Sequence, residues 1–451
     1  MDRLTQLRRL GLFDARVPRY TSYPTANHFN NDVGAPVVAD WITGIEPGAE
    51  ISLYAHIPFC RRLCWFCACR TQGTSTLGPV GTYVRTLAQE LQIIAGNLPE
   101  GVKLSRLHWG GGTPSILDAP LIESLARSIF ETAPLAPGAE FSVEIDPNEI
   151  DAERIEALAL AGMNRASIGV QDFDPEVQEI IGRSQTFDVT RRAVEQLRAA
   201  GVGSVNTDIL YGLPGQSQAR MTESVMKVLS LSPDRIALYG YAHVPWMARR
   251  QSLIPADRLP DPAERLRLFE TASRLIEADG YVSVGIDHFA KPEDGLAVAA
   301  ANETLRRNFQ GYTDDQSETL IGIGASSISR YPGGYAQNAA STSEYTAAIR
   351  DGRFAVARGH RFTEGDRLRA DVIEALMCFH RVDAGELARR RGHAKADVIA
   401  LLGTLDEAFR PMVFSTSEGM SIKPDALPLA RLIARSFDVY AMNQASHSPA
   451  I

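Results

Sequence analysis

Four of the five cysteines of this 451-residue chain lie between positions 60 and 69, in the stretch YAHIPFCRRLCWFCACR (54–70). Cys60, Cys64, Cys67 and Cys69 are spaced C-x3-C-x2-C-x-C. Thiols crowded into one loop admit three readings. Buried structural cysteines are seldom so dense. A structural zinc needs four ligands at tetrahedral reach and usually draws them from two separated pairs. An iron–sulfur cluster is held by thiolates from short loops of this kind. C-x3-C-x2-C gives three thiolates, one fewer than the irons of a cubane, so one iron stays open to a non-protein ligand. Cys69, only two residues after Cys67, is poorly placed to reach a separate iron.

Further polar groups recur at regular intervals. HWGGGTPS (108–115) carries three successive glycines, which let the backbone approach a ligand closely and present N–H groups. No G-K-[ST] follows, so this is not a phosphate loop. SVEIDP brings Glu144 and Asp146, SIGVQDF brings Gln171 and Asp172, and NTDILYGLPGQ brings Asp208. Each falls at the end of a β-rich run.

Those runs are 51–57, 104–109, 140–145, 165–170, 204–210, 235–241 and 281–286. Between them, stretches such as APLIESLARSIFETA, TRRAVEQLRAAGV and AERLRLFETASRLIEADGY space apolar residues by three and four, as helices do. Strands alternating with helices imply parallel pairing and right-handed crossovers. The rhythm predicts an α/β fold with a full or partial (β/α) barrel, a doubly wound open sheet being the alternative. In both, chemistry sits at the C-terminal ends of the strands. Residues 1–36, with VPRYTSYPTANHF, lack periodicity and read as an arm; 37–358 form the catalytic domain. Residues 359–451 read as a mainly helical, winged-helix-like domain with a hairpin at Glu418–Gly419 and a last helix over LPLARLIARSFDVYAM (427–442).

The cysteine loop after the first strand, the aromatic Phe66 before the third cysteine and the glycine triplet one strand later resemble the radical S-adenosylmethionine (SAM) superfamily. Together with PRYTSYPTA, YGYAHVP, GIDHFAKP and RRNFQGYT they resemble the oxygen-independent coproporphyrinogen III oxidases of haem biosynthesis, from the arm to about residue 340. Haem chaperones on the same barrel are the other reading; they typically lack the arm and the fourth cysteine. The resemblance implies a radical SAM barrel with a [4Fe–4S] cluster on Cys60, Cys64 and Cys67, and two SAM molecules. It places Tyr54, Gly111, Glu144 and Ile328 at the SAM on the cluster. It places Phe66, Gly112, Thr113, Gln171, Arg183, Asp208 and Ala242 at the second. It implies conversion of two propionates of coproporphyrinogen III to vinyl groups, with a flavodoxin- or ferredoxin-type electron donor and a chain that works as a monomer. Cys69 is expected beside the cluster rather than on it, with a catalytic role. Arg19 and Tyr20, and Arg306–Arg307, are the expected substrate contacts; Asp314 and Asp315 would repel propionates if they faced them. His56, His288 and His380 receive no role.

The bulk numbers agree with an enzyme of this size. The net charge of -8 argues against a nucleic-acid surface as the main business. No run of about 18 apolar residues or signal-type h-region is present, so the expectation is a cytoplasmic protein without membrane association.

Overall fold

The computed structural model describes residues 2–440 and 450–451. Six strands lie in chain order across one sheet: β1 (Glu50–Ile57), β2 (Lys103–Gly111), β3 (Leu135–Ile145), β4 (Arg165–Gln171), β5 (Ser204–Tyr211) and β6 (Arg235–Gly240). All neighbouring pairs among them are parallel. Each is followed by a helix: α1 (Gly78–Ala95), α2 (Ala119–Thr132), α3 (Ala152–Leu160), α4 (Phe187–Ala199), α5 (Gln218–Ser230) and α6 (Pro262–Ala278). Side-chain alternation explains the layering. In β4, Ala166, Ile168 and Val170 are buried in the main core, while Arg165 and Ser167 face the interior cavity. In β5, Val205 and Ile209 face the core and Asn206 and Asp208 face the cavity. Five helices begin at an Asp, Thr or Ser whose side chain caps the first turn: Asp118, Asp151, Thr186, Ser217 and Asp261.

The barrel is partial. Beyond β6 the sheet continues antiparallel through β7 (Val282–Val284) and β8 (His288–Ala290), with β8 next to β6 and β7 at the edge. The run expected as a seventh parallel strand is therefore a short edge hairpin. Its VSVGID sequence turns at Gly285, where φ is +59° and a side chain would strike the Tyr312 ring. On the other side β9 (Leu320–Ile323) pairs in parallel with β1. It continues into β10 (Ile328–Tyr331), β11 (Gly334–Asn338) and β12 (Val356–Arg361) as an antiparallel extension. Helix α5 went unread in the sequence, although Ser217 followed by MTESVMKVL has both cap and period.

Residues beyond 363 place helices Glu364–Phe379, Ala384–Arg391 and Lys395–Leu402 around a three-stranded antiparallel sheet of 381–383, 413–415 and 419–422. The last helix covers Ala430–Arg435, shorter than expected, and residues 441–442 of the expected helix lie outside the described residues. The arm is not devoid of structure. It opens with a helix, Arg3–Arg9, and Leu7, Leu12, Phe13, Val17, Tyr20 and Tyr23 join Leu376, Leu429 and Phe437 in one apolar core.

Candidate active site

The cysteine loop leaves the C-terminal end of β1. Its first residues, Phe59–Cys60, pair in parallel with Gln72–Gly73 and close the loop on itself. The Trp65 N–H donates to the Ile181 carbonyl, and its ring packs where a side chain at Gly182 would be. Phe66 packs into a small apolar cluster with Val177, Ile181, Leu213, Tyr241 and Ile254. Buried Gln251 donates from its amide to the carbonyls of Phe66 (2.6 Å) and Ala242 (3.1 Å) and accepts the Val244 N–H (2.6 Å). One side chain thus ties the cysteine loop to the segment after β6.

All four thiols are free; Cys60, Cys64 and Cys67 are half-buried and Cys69 is exposed. Each of the first three sulfurs meets a donor. The Thr113 and Thr71 hydroxyls reach Cys60, although burial still holds that thiol above its ordinary range. The Arg183 Nη1 lies 3.6 Å from the Cys64 Sγ, and the Cys69 N–H donates to the Cys67 Sγ at 3.4 Å. The Cys69 side chain, hydrogen-bonded to Cys67, pulls the Cys67 thiol down, and the same pairing pushes Cys69 up. Donors aimed at sulfur suit thiolate ligands. Among the described residues no three His, Cys, Asp or Glu side chains gather on a single-ion site. A cluster that takes one thiolate per iron fits this loop better than one tetrahedral zinc does.

The glycine triplet ends β2 against this loop. The Gly112 N–H donates to the Ile57 carbonyl and the Thr113 N–H to the Phe59 carbonyl, both at 2.8 Å. A side chain at Gly111, where φ is +113°, would sit 2.5 Å from the His56 ring, and one at Gly112 would sit 2.6 Å from the Phe59 carbonyl. Glu144, at the end of β3, accepts the Gly111 N–H (3.1 Å) and lies 3.4 Å from His108 Nε2. Tyr54 stacks on His108 and bonds His56 Nδ1 at 3.0 Å. Gly322 is the register partner of Tyr54, and a side chain there would meet the Ile328 carbonyl, which brings Ile328 to the same end of the sheet.

Arg183 and Gln171 converge over Gly169, where a side chain would meet both. Arg183 donates to the Gly169 carbonyl (2.8 Å) and to Gln185 (2.7 Å), with Asp146 at 3.7 Å. Burial opposes its charge, but Asp146 and Cys64 raise its pKa. Asp208 points into a cavity of about 210 Å³ inside the barrel, shared with His108, Glu144, Ser167 and Tyr239. Burial lifts its carboxyl to about 6 even though Asn206 donates to it at 2.8 Å. Asp172, by contrast, is a buried brace for Gln216 and Ser224.

The expected substrate contacts are placed differently. Arg19 reaches the end of β6 and donates to the Gly240 carbonyl at 2.7 Å. The Tyr20 hydroxyl is buried against Asp438 at 3.1 Å, and the ring joins the core shared with the C-terminal helices. Arg306 is ion-paired with Glu374, and Arg307 lies over the Tyr312 ring with its Nη2 on the Arg19 carbonyl. Asp314 is neutralised by Arg106 (2.9 Å), and Asp315 accepts from Ser52 and from the Ser317 N–H. Sequence reading passed over His108, Gln185 and Gln251. His108 adjoins the triplet at the inward register; Gln251 sits in a stretch with no period to mark it.

Thiols on the loop after β1, a glycine turn after β2 and carboxylates on β3 and β5 define a radical SAM protein by fold and site. The model of the Radical SAM superfamily matches residues 54–228. An oxygen-independent coproporphyrinogen III oxidase of Paracoccus denitrificans is 59% identical over 451 residues, 100% of both chains. One from Cereibacter sphaeroides is 54% identical over 98% of both chains. The solved Escherichia coli coproporphyrinogen III oxidase, described as a radical SAM enzyme, superposes with a TM-score of 0.88 at 34% identity, covering 95% of this chain and 100% of that one. The chain belongs to the family of oxygen-independent coproporphyrinogen III oxidases, whose chemistry uses SAM and a [4Fe–4S] cluster.

Proposed function

We propose that this protein removes the carboxyl groups of two propionates of coproporphyrinogen III, leaving vinyl groups and giving protoporphyrinogen IX and two CO2. Each propionate loses one hydrogen atom from its β-carbon and one further electron as CO2 departs. The observation that carries the reading is the grouping of Cys60, Cys64 and Cys67, each beside a donor, with Gly111 and Glu144 at one end of successive strands. Relatives matched along their whole length bear oxidase names, which favours this over a haem chaperone.

Cys60, Cys64 and Cys67 would hold the cluster, which with SAM supplies the 5'-deoxyadenosyl radical. Glu144 suits the SAM amino group: it already accepts the Gly111 N–H and has acceptor capacity left. Tyr54 and Ile328 would flank that SAM. A second SAM would lie toward Phe66, Gly112, Thr113 and Ala242. Arg183, rigidly held beside Gln171, suits its carboxylate. Asp208, whose carboxyl burial lifts to about 6, is mainly ionised at neutral pH and suits a ribose diol as a two-oxygen acceptor. Cys69, outside the ligand set, would act on the substrate side. A flavodoxin- or ferredoxin-type donor and a cytoplasmic monomer complete the proposal.

The test is anaerobic reconstitution with iron and sulfide, followed by SAM, reductant and coproporphyrinogen III. Protoporphyrinogen IX should form with about two 5'-deoxyadenosine per product, as the two decarboxylations require. Stoichiometric haem retention without turnover would favour the chaperone instead.

A further inference from the structure

Of the arginines expected from sequence to bind propionates, Arg306 is ion-paired with Glu374, while Arg307 keeps Nε and Nη1 without a hydrogen-bond partner among the described residues; four carboxylates call for further cations. A cavity of about 570 Å³ lies between the stretch Cys67–Gln72, the segment 244–250 and the loop at Ser326. Its volume falls within the range of about 300–1,000 Å³ usual for small-molecule sites. Cys67 and Cys69 form part of its wall, and Arg70, Arg249 and Arg250 line it. Arg250 donates to the Cys69 carbonyl (3.2 Å) and the Thr71 hydroxyl (2.8 Å), not to a carboxylate. Among the described residues, Arg70 and Arg249 form no ion pair, and both are exposed. The sequences that build this wall, 58–76 and 242–256, contain five arginines and no Asp or Glu in a chain of net charge -8. Arg358, on β12, lies close enough to Arg70 for the two charges to disfavour each other.

We infer that this cavity receives the carboxylates of the tetrapyrrole, with Arg70 and Arg249 as its principal contacts; the inference rests on the function proposed above. Guanidinium groups without acidic partners, around a concavity against Cys67 and Cys69, match a small polyanion that must reach the cofactor. Their planar forks pair with carboxylates bidentately. The concave shape favours a small molecule over an acidic protein, which docks on broader and flatter surfaces.

The experiment measures binding and turnover separately. Coproporphyrin III, the stable oxidised tetracarboxylate, is titrated into reconstituted protein and followed by fluorescence quenching. Arg70→Gln and Arg249→Gln should each raise its Kd about tenfold, the loss of one charge-assisted contact. Arg249→Lys should recover part of the loss, and protoporphyrin, with two carboxylates, should bind more weakly and respond less. In dithionite-driven turnover the same variants should raise KM with little change in kcat and in iron content. Unchanged Kd and KM in both glutamine variants would overturn the inference while leaving the proposed reaction standing. A loss confined to flavodoxin-driven turnover, with normal dithionite-driven KM, would overturn it in favour of a docking face for an acidic electron carrier. Absence of turnover in the unaltered protein would instead strike at the proposed function.

Discussion

Cys69 separates two jobs within ten residues of chain. Its N–H serves the Cys67 sulfur, whereas its own sulfur, paired with Cys67, meets among the described residues neither a threonine nor an arginine donor of the kind that meets Cys60 and Cys64. Cys69→Ser should keep iron content near normal and a cluster spectrum that still shifts on adding SAM, while product formation is lost. Cys64→Ser should lose most of its iron, because it removes the thiol beside Arg183. Iron analysis and electron paramagnetic resonance check both. Equal iron loss in the two variants would make Cys69 a ligand. The triplet itself was legible from residue types alone, since no other short stretch of the chain crowds thiols. The donors around it were not, because Arg183 and Thr113 come from distant segments and only folding brings them to the sulfurs.

At the level of elements, five of the six βα units were legible in full, and the remaining one lacked only α5, because each strand alternates core and cavity residues and most helices carry an apolar stripe. The continuation from β9 to β12 was not, because its short antiparallel strands and Gly-rich turns lack either period. Glu90 holds this extension to α1. It is buried and accepts from the Gly324 N–H (2.7 Å), the Tyr345 hydroxyl (2.6 Å) and the Asn338 amide (2.7 Å). Burial outweighs these donors and raises its carboxyl from 4.5 to about 7. A folded pKa above the unfolded one gives stability that is full below 4.5 and lost as pH rises through 7. The contribution is roughly 3 kcal/mol. The unfolding midpoint should therefore decline between pH 5 and 8, and Glu90→Gln should flatten that decline; parallel slopes in denaturant titrations would refute the assignment. Gln251 is the other unlegible joint. Gln251→Leu keeps the volume but leaves three backbone groups without partners, a loss of roughly 2–4 kcal/mol. It should also weaken binding at the proposed second SAM site, measured by equilibrium dialysis, more than at the SAM site on the cluster. Equal weakening of both would assign Gln251 to general stability only.

On the scale of the whole molecule, the arm behaves unlike its sequence. Its prolines, hydroxyls and aromatics suggest ligand contacts over a surface, yet its apolar side chains are shared with the C-terminal core. Deleting residues 1–35 should lower Tm sharply or cause aggregation, because each fully buried side chain of this kind is worth roughly 2 kcal/mol. A truncated protein with unchanged Tm and intact cluster but no turnover would restore a purely catalytic role to the arm.

The arm's burial also has a consequence for how the chain is made. The Tyr20 hydroxyl finds Asp438 across a separation of 418 residues, and the Arg431 guanidinium bonds the Pro18 carbonyl. These arm residues can thus find their place only after residues 429–438 have been made. At about 5–20 residues per second they wait on the order of half a minute for their partners to emerge. Over that interval the six βα units, all encoded ahead of those partners, can assemble while the apolar side chains of the arm, Leu7, Leu12, Phe13 and Val17, stay exposed.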